Sequence, residues 1–510
     1  MLAASLGLAA PLHSAALEQA AGEAAEKPAQ KQGAAPRAHD KSAGPSAVNA
    51  LPPAVTTSHT IDLRGRTLHF KAIAGPVRLS DAQSGEPEAD VAATAFLLEG
   101  AEPARRPVTF VLNGGPGAAS AWLDLGGLGP WRLPFDRATH SPSARPATVD
   151  NADTWLDFTD LVFIDPPGTG YSRILTKDGE MRRHFFSVGG DIEALAVVIR
   201  KWLAANNRLE SLKFLVGESY GGFRAPKLAR RLQDEEGIGV AGLILVSPVL
   251  DFSWWSDGVS SPLICAARLP SQAAAARGLA REGAENSLAD VEAYAEGAYL
   301  TDLLRGERDS QALGRIAEKV AAFTGLDPAL VRKLGGRIDP ATFAREKNRT
   351  NGTVTSLYDA LVFGFDPSPH AAASDFPDPV LDAFKAPLAS AMADITASRL
   401  GWRVEARYEV LSESVNRSWD WGGGRERPEA LTDLKRELAL DPAMRVLVAH
   451  GITDQVTPYF ASKLLIRQVP PMGLQDRLRL TVYGGGHMLY FDDKSRAALR
   501  EDARKLIEEK

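Results

Sequence analysis

The sequence has a single cysteine, Cys265, among 510 residues. One thiol excludes an intramolecular disulfide framework and any metal site built from several cysteines. That usage fits a reducing compartment, and it also fits an exported protein that folds without bridges. No run of eighteen or more apolar residues occurs, so no stretch reads as a membrane-crossing helix. A Lys/Arg stripe with interleaved aromatics is also missing. The formal charge of −6 is mildly acidic, which argues against nucleic acid as a main partner.

What is present is ordinary for a globular protein: 45% hydrophobic and 24% charged residues. The length gives room for one large α/β domain with an insertion, or for two or three smaller domains. Leu2 to Ala16 is small and apolar, like the core and cleavage site of a secretory signal, although no Lys or Arg precedes it. Residues 1–17 are therefore read as a signal segment and the protein as exported, periplasmic or secreted, with a cytoplasmic location left open. Residues 18–55 are rich in Ala, Pro, Lys, Glu and Gln without apolar periodicity, the composition of a disordered tether.

From Thr56 the pattern becomes that of a folded domain. His59–Leu63 and Arg66–Ala72 alternate polar and apolar residues around Arg64-Gly65, as in a hairpin. Further strands are expected at Ala92–Leu98, Pro107–Leu112, Leu161–Ile164, Phe214–Val216, Val240–Val246, Met444–Ala449 and Arg477–Val482. Helical spacing at Asp191–Asn206, Phe223–Asp234 and Asp493–Glu508 separates or follows them. Strands alternating with helices imply a mostly parallel central sheet flanked by helices on both faces. Between about Val259 and Lys435 the chain turns Ala-, Leu-, Arg- and Glu-rich and lacks strongly apolar strands. The expected domains are a catalytic core at 56–258 and 436–510 and a mostly helical insertion, or cap, at 259–435. Inside the insertion, Asn348-Arg349-Thr350 and Asn351-Gly352-Thr353 match the N-glycosylation pattern but read more simply as polar loop, and Trp419 and Trp421 read as packing residues, with the lining of a pocket as the alternative.

The chemistry concentrates at Lys213–Gly222, K-F-L-V-G-E-S-Y-G-G. An apolar strand, a G-x-S-x-G turn and a helix together make a nucleophile elbow, which lifts the Ser219 hydroxyl clear of the sheet. A serine needs a base, and the base an orienting acid. His370, His450 and His487 are the histidines beyond Ser219. His487 is favoured, because Gly484, Gly485 and Gly486 make its loop after a strand able to approach other backbone. His450 ends an apolar strand and reads as half-buried and structural. Asp454 is the one acid in the loop after Met444–Ala449, and it is expected to orient His487. Oxyanion donors are expected from the N–H of Tyr220 and from Gly115 in the loop Asn113-Gly114-Gly115-Pro116-Gly117. Glu218, beside the nucleophile, reads either as an ion-paired surface group or as a cleft carboxyl. Holding a proton, it would donate to a substrate carboxylate together with the Asn113 amide.

These motifs together resemble the serine carboxypeptidase family of α/β hydrolases. N-G-G-P-G at Asn113–Gly117 is similar to its oxyanion loop and G-E-S-Y-G-G at Gly217–Gly222 to its elbow. Asp165–Ser172 is similar to its D-x-P-x-G-T-G-x-S block, Asn151–Trp155 to the segment before it, and Gly486-His487-Met488 to its terminal G-H-M. The resemblance implies an α/β-hydrolase fold and release of C-terminal residues from a peptide substrate through an acyl-enzyme. It implies a Ser219–Asp454–His487 triad, with Asn113 and Glu218 binding the free carboxylate, and no metal or cofactor. Three departures stand out. Ala118 replaces the cysteine that usually follows N-G-G-P-G, as in a bacterial-type member without bridges. Gly127 stands where E-x-G-P would place a second carboxyl, and Tyr490 stands near the position of a proline after G-H-M. An esterase or acyltransferase on the same scaffold, or a non-catalytic binding module, remain alternative readings.

Overall fold

A computed structural model describes residues 50–509 apart from Arg64 and residues 136–140, 257–259, 281–282, 373, 423–426 and 474–476. The expected signal segment at 1–17, and the expected tether as far as residue 49, lie outside the described residues. The tether was expected to run to residue 55, but the packed chain begins earlier. Leu51 is 6% exposed and joins a core cluster. Its N–H donates to Asp90 (2.9 Å), and Trp402 Nε1 donates to the Pro52 carbonyl (3.3 Å). One apolar side chain and two hydrogen bonds hold a stretch whose composition alone looked solvated.

Among the described residues the central sheet has ten strands: β1 Val55–Leu63, β2 Arg66–Ser80, β3 Pro87–Leu98, β4 Val108–Leu112, β5 Asp160–Ile164, β6 Arg173–Ile174, β7 Lys213–Glu218, β8 Gly242–Val246, β9 Arg445–Gly451 and β10 Leu478–Tyr483. Their order is β1-β2-β3-β5-β4-β7-β8-β9-β10, with β6 paired to β3. The pairings from β1 to β5 are antiparallel, and those from β5 through β10 are parallel. The fold is thus an α/β hydrolase with a mixed, mostly parallel sheet.

The short apolar runs are strands because both faces of the sheet are covered. Phe214, Val216, Ile244, Val246, Leu447 and Ala449 enter one core cluster, and their neighbours Leu215, Leu243, Leu245, Val446 and Val448 enter another. Successive side chains of a strand point to opposite faces, so a strand buried on both is apolar along most of its length. The helices Val188–Ala205 and Tyr220–Glu236 cover one face through Leu195, Ile199, Leu228 and Leu232. Asp493–Glu508 covers the other through Leu499, Ala503 and Leu506. Asp492 starts that last helix by accepting from the N–H groups of Lys494 (3.1 Å) and Ser495 (3.0 Å).

Between β8 and β9 the chain is mainly helical, with Pro262–Ala276, Ser310–Thr324, Leu381–Asp394 and Leu431–Leu440 the longest helices. A two-stranded hairpin, Thr353–Thr355 with Phe363–Phe365, interrupts them. The hydrophobic interior here is shared with the sheet domain: Cys265, Leu269, Tyr299, Ile316 and Phe343 cluster with Tyr459, Phe460 and Val482. The parallel strands β4, β7, β9 and β10 run the same way, so the loops after them meet at one edge of the sheet. Those loops carry Asn113–Gly117, Ser219, Asp454 and His487.

Candidate active site

Ser219 has φ 59° and ψ −119°, in the half of conformational space that disfavours a side chain. The turn is tight enough that its flanking glycines have no substitute. A Cβ on Gly217 would lie 2.0 Å from the Gly221 carbonyl oxygen, and one on Gly221 2.5 Å from that of Leu112. The Ser219 N–H donates to the Val246 carbonyl (2.9 Å), tying the elbow to β8. The seryl side chain is half-buried, and among the described residues its Oγ makes no hydrogen bond. In enzymes without substrate the contact between nucleophile and base commonly tightens only on binding.

His487 Nδ1 lies 2.8 Å from Asp454 Oδ2. A carboxylate only accepts, so Nδ1 carries the hydrogen and Nε2 is left as the basic nitrogen. Asp454 also accepts from the N–H groups of Val456 (2.8 Å) and Thr457 (3.0 Å), which fix its orientation. Burial disfavours the charged imidazole, but the Asp454 carboxylate and the Glu218 charge outweigh it, and the pKa of His487 is raised above its ordinary 6.5. His450 is wholly buried rather than half-buried, with Nε2 2.8 Å from Ser462 Oγ. Burial pushes its pKa down to about 4, so it is neutral near pH 7. His370 is exposed in the insertion.

The loop Asn113–Gly117 rests directly on the elbow. A Cβ on Gly114 would lie 2.5 Å from the Glu218 carbonyl oxygen and 2.6 Å from Tyr220 N. Gly115 has φ 97°, a conformation open to glycine, and among the described residues its N–H makes no hydrogen bond. Tyr220 is the first residue of its helix, so its N–H has no intrahelical partner. Two adjacent, uncommitted N–H donors are what a developing oxyanion requires.

Glu218 is 3% exposed and pairs with no cation among the described residues, which removes the surface reading. Asn113 Nδ2 donates to its Oε2, and the Tyr490 hydroxyl lies 3.0 Å from Oε1 and 2.9 Å from Oε2. Burial raises its pKa from 4.5 to about 7, with Asp454 adding to the rise and His487, Tyr490 and Asn113 opposing it. Asn113 Oδ1 accepts from the Leu123 N–H (3.1 Å), so its amide is oriented with nitrogen toward Glu218.

Several residues of the site had not stood out in the sequence. The Thr457 hydroxyl lies 2.7 Å from Asp454 Oδ2, 3.0 Å from His487 Nδ1 and 2.9 Å from the Ser247 carbonyl. The Ser247 hydroxyl donates to the His487 carbonyl (2.8 Å). Arg224 looks like part of the charged helix face, but it is buried, paired with Asp191 (2.7 Å), and donates to the Asn113 carbonyl (2.6 Å). Trp419 and Trp421, already expected from the sequence to pack, stand edge-on to Tyr220, with ring centres at 5.3 and 5.7 Å. Thr457, three residues after Asp454 in the same loop, was the one with a readable local signal.

The insertion also reaches this edge. The Ser412 N–H donates to the Gly117 carbonyl (2.8 Å) and Asn416 Nδ2 to that of Pro116 (3.0 Å). The Tyr358 carbonyl accepts from the His487 N–H (2.5 Å), and its ring stands edge-on to the imidazole at 5.4 Å.

Comparison with known proteins gives these features a context. Residues 95–252 match the sequence model of the serine carboxypeptidase family. The pheromone-processing carboxypeptidase KEX1 of Yarrowia lipolytica is 30% identical over 153 residues, 29% of this chain and 22% of that protein. Its counterpart in Schizosaccharomyces pombe is 31% identical over 136 residues, 26% of this chain and 24% of that protein. Serine carboxypeptidase-like 45 of Arabidopsis thaliana is 27% identical over 179 residues, 31% of this chain and 35% of that protein. The chain thus spans between about a fifth and a third of the length of these relatives. The crystal structure of a prohormone-processing carboxypeptidase from Saccharomyces cerevisiae superposes with a TM-score of 0.53 at 17% identity, covering 86% of this chain and 90% of that one, which shows the fold.

Proposed function

We propose that this chain, whose residues 95–252 match the sequence model of the serine carboxypeptidase family, is a serine-type carboxypeptidase that releases C-terminal residues from peptides. In this reading Ser219 attacks the last peptide carbonyl and His487 takes its proton. Asp454 holds the imidazole in the required tautomer. The N–H groups of Gly115 and Tyr220 receive the oxyanion, and the departing amine takes the proton back from His487. Water repeats the sequence on the acyl-enzyme. Glu218 and Asn113 bind the carboxylate of the residue that leaves.

The observation that carries the reading is the buried Glu218 next to the nucleophile, with no cation paired to it among the described residues and burial raising its pKa to about 7. A charged Glu218 would repel a terminal carboxylate. A protonated one donates to it, and the second Asn113 amide hydrogen adds another donor. Such a site distinguishes a free C-terminus from an internal peptide bond.

Mass-spectrometric product mapping tests this on a peptide mixture with free and amidated C-termini, at pH 6 and pH 8. Loss of single C-terminal residues from the free-acid peptides is expected, faster at pH 6 relative to an ester control. Cleavage of esters with every free-acid peptide left intact would overturn the reading in favour of an esterase. The expected export belongs to the same reading. It rests on the Leu2–Ala16 pattern and is checked by sequencing the N-terminus of the native protein.

A further inference from the structure

Glu218 has two side-chain partners among the described residues, Asn113 and Tyr490. Tyr490 arrives from the short helical turn Leu489–Phe491, directly after the His487 loop. It is fully buried, and its hydroxyl is placed almost equally from both carboxyl oxygens. Its ring lies against Gly126, and the Arg496 side chain and the Tyr490 Cβ crowd the position of Gly127. A Cβ on Gly126 would come within 2.3 Å of Tyr490 Cε2, and one on Gly127 within 3.1 Å of Arg496 Cδ and 3.3 Å of Tyr490 Cβ. The two glycines and the tyrosine therefore form one packing solution. The site holds one carboxyl and one phenol.

We propose that Tyr490 is the specificity-determining partner of Glu218: its hydroxyl positions the single carboxyl group that recognises the substrate's terminal carboxylate. This deepens the proposed exopeptidase function and rests on it. The difference between a phenol and a second carboxyl is chemical. Two close carboxyls share one proton, and their titrations split apart. A phenol adds a donor without adding a charge. Burial, with the Glu218 charge, raises the pKa of Tyr490 well above its ordinary value, so its proton stays on oxygen throughout the working range. Tyr490 thus adds no second titrating carboxyl beside Glu218. The other groups acting on it are His487 and Asp454 from the loops after β10 and β9, Asn113 from the loop after β4, and Tyr358 from the insertion. None of them takes the place of the Tyr490 hydroxyl at the carboxyl oxygens.

Tyr490→Phe removes that one oxygen and keeps the ring that packs on Gly126. Two measurements on the full chain decide the matter. The first is the infrared carboxyl band of Glu218, identified by its disappearance in Glu218→Gln and followed against pH. Loss of a donor to the charged form should move its titration upward by about half to one pH unit. The second is KM for a free-acid peptide and for the matching C-terminal ester. At pH 5.5, where Glu218 holds its proton in both proteins, the free-acid KM should rise roughly 3- to 10-fold and the ester KM less. A residue that only packs predicts an unmoved titration, and that result overturns the proposal whatever KM does. If the wild-type protein turns over the ester alone, the exopeptidase reading fails. The carboxyl titration then still supports or overturns the Tyr490–Glu218 coupling by itself.

Discussion

Asp454 and Glu218 are both buried carboxyls of this site, and the chain holds them in different ways. Asp454 accepts from two backbone N–H groups, the Thr457 hydroxyl and the His487 ring. Glu218 accepts from two side chains, Asn113 and Tyr490, and from no backbone N–H among the described residues. Backbone donors are rigid and local: a loop that closes around an aspartate supplies them by its own geometry. Side-chain donors come from wherever the fold delivers them, here from residues 105 positions before and 272 positions after Glu218. The first arrangement suits a group that never changes its task. The second leaves a carboxyl whose proton is set by burial, close to neutral pH.

Mutations at the two ends should therefore fail differently. Ser219→Ala removes the step both ends serve, and turnover of esters and peptides should fall by at least about 10⁴-fold while the melting curve is kept. Asp454→Asn should lower kcat on both substrate types by on the order of 10³- to 10⁴-fold with little change in KM, since the imidazole loses its tautomer and not its substrate. A large change in KM there would erase the division of labour. Glu218→Gln should instead raise KM for free-acid peptides roughly 10- to 100-fold and leave ester kinetics within about 3-fold. Equal losses on both substrates would merge the two ends into one.

The pH profile sharpens the same comparison. In the proposed mechanism catalysis needs neutral His487, whose pKa is raised above 6.5, so turnover of every substrate should fall on the acid side. Binding of a free carboxylate, as proposed, needs protonated Glu218, so it should fall as pH rises through about 7. Free-acid peptides should give a narrow bell in kcat/KM near neutrality, and esters a single acid limb. In Glu218→Gln the alkaline limb should disappear. The same shift predicts a small stability effect. Between the unfolded value of 4.5 and the folded value of about 7 the native state binds more protons than the unfolded one. Stability contributed by this group therefore declines as pH rises through that window. Calorimetry should show the Tm of Glu218→Gln, relative to wild type, improving by a few degrees between pH 5 and pH 8.

The smallest expected effect lies at the contact between insertion and core. Asn416→Ala deletes the hydrogen bond to the Pro116 carbonyl and should lower kcat about 3- to 10-fold through a looser oxyanion loop, with KM nearly unchanged. An unchanged kcat would mean that the elbow alone holds the loop.

Much of this was legible in the sequence because its cause is local. The runs V-T-F-V-L and G-L-I-L-V carry no charged residue and are buried at every position, as a strand covered on both faces requires. Gly217 and Gly221 flank Ser219 because the elbow leaves no room for a Cβ. Asp454 follows one parallel strand and His487 the next, so strand order implied their meeting with Ser219. Leu51 shows the limit of composition, since one apolar residue anchors a stretch that otherwise reads as solvated.

What only the tertiary structure decided depends on distant segments packing together. Arg224 has the identity of a surface residue, and only the position of Asp191 on a neighbouring helix makes it an interior one. Gly127 read alone is a missing carboxyl. The fold shows that the side chain of Arg496 and the Cβ of Tyr490 crowd its place, that the Tyr490 ring lies against neighbouring Gly126, and that the Tyr490 hydroxyl reaches Glu218. Periodicity and motif spacing describe each segment against its own neighbours. They carry no information about which far segment fills a gap, because that is settled by close packing in three dimensions.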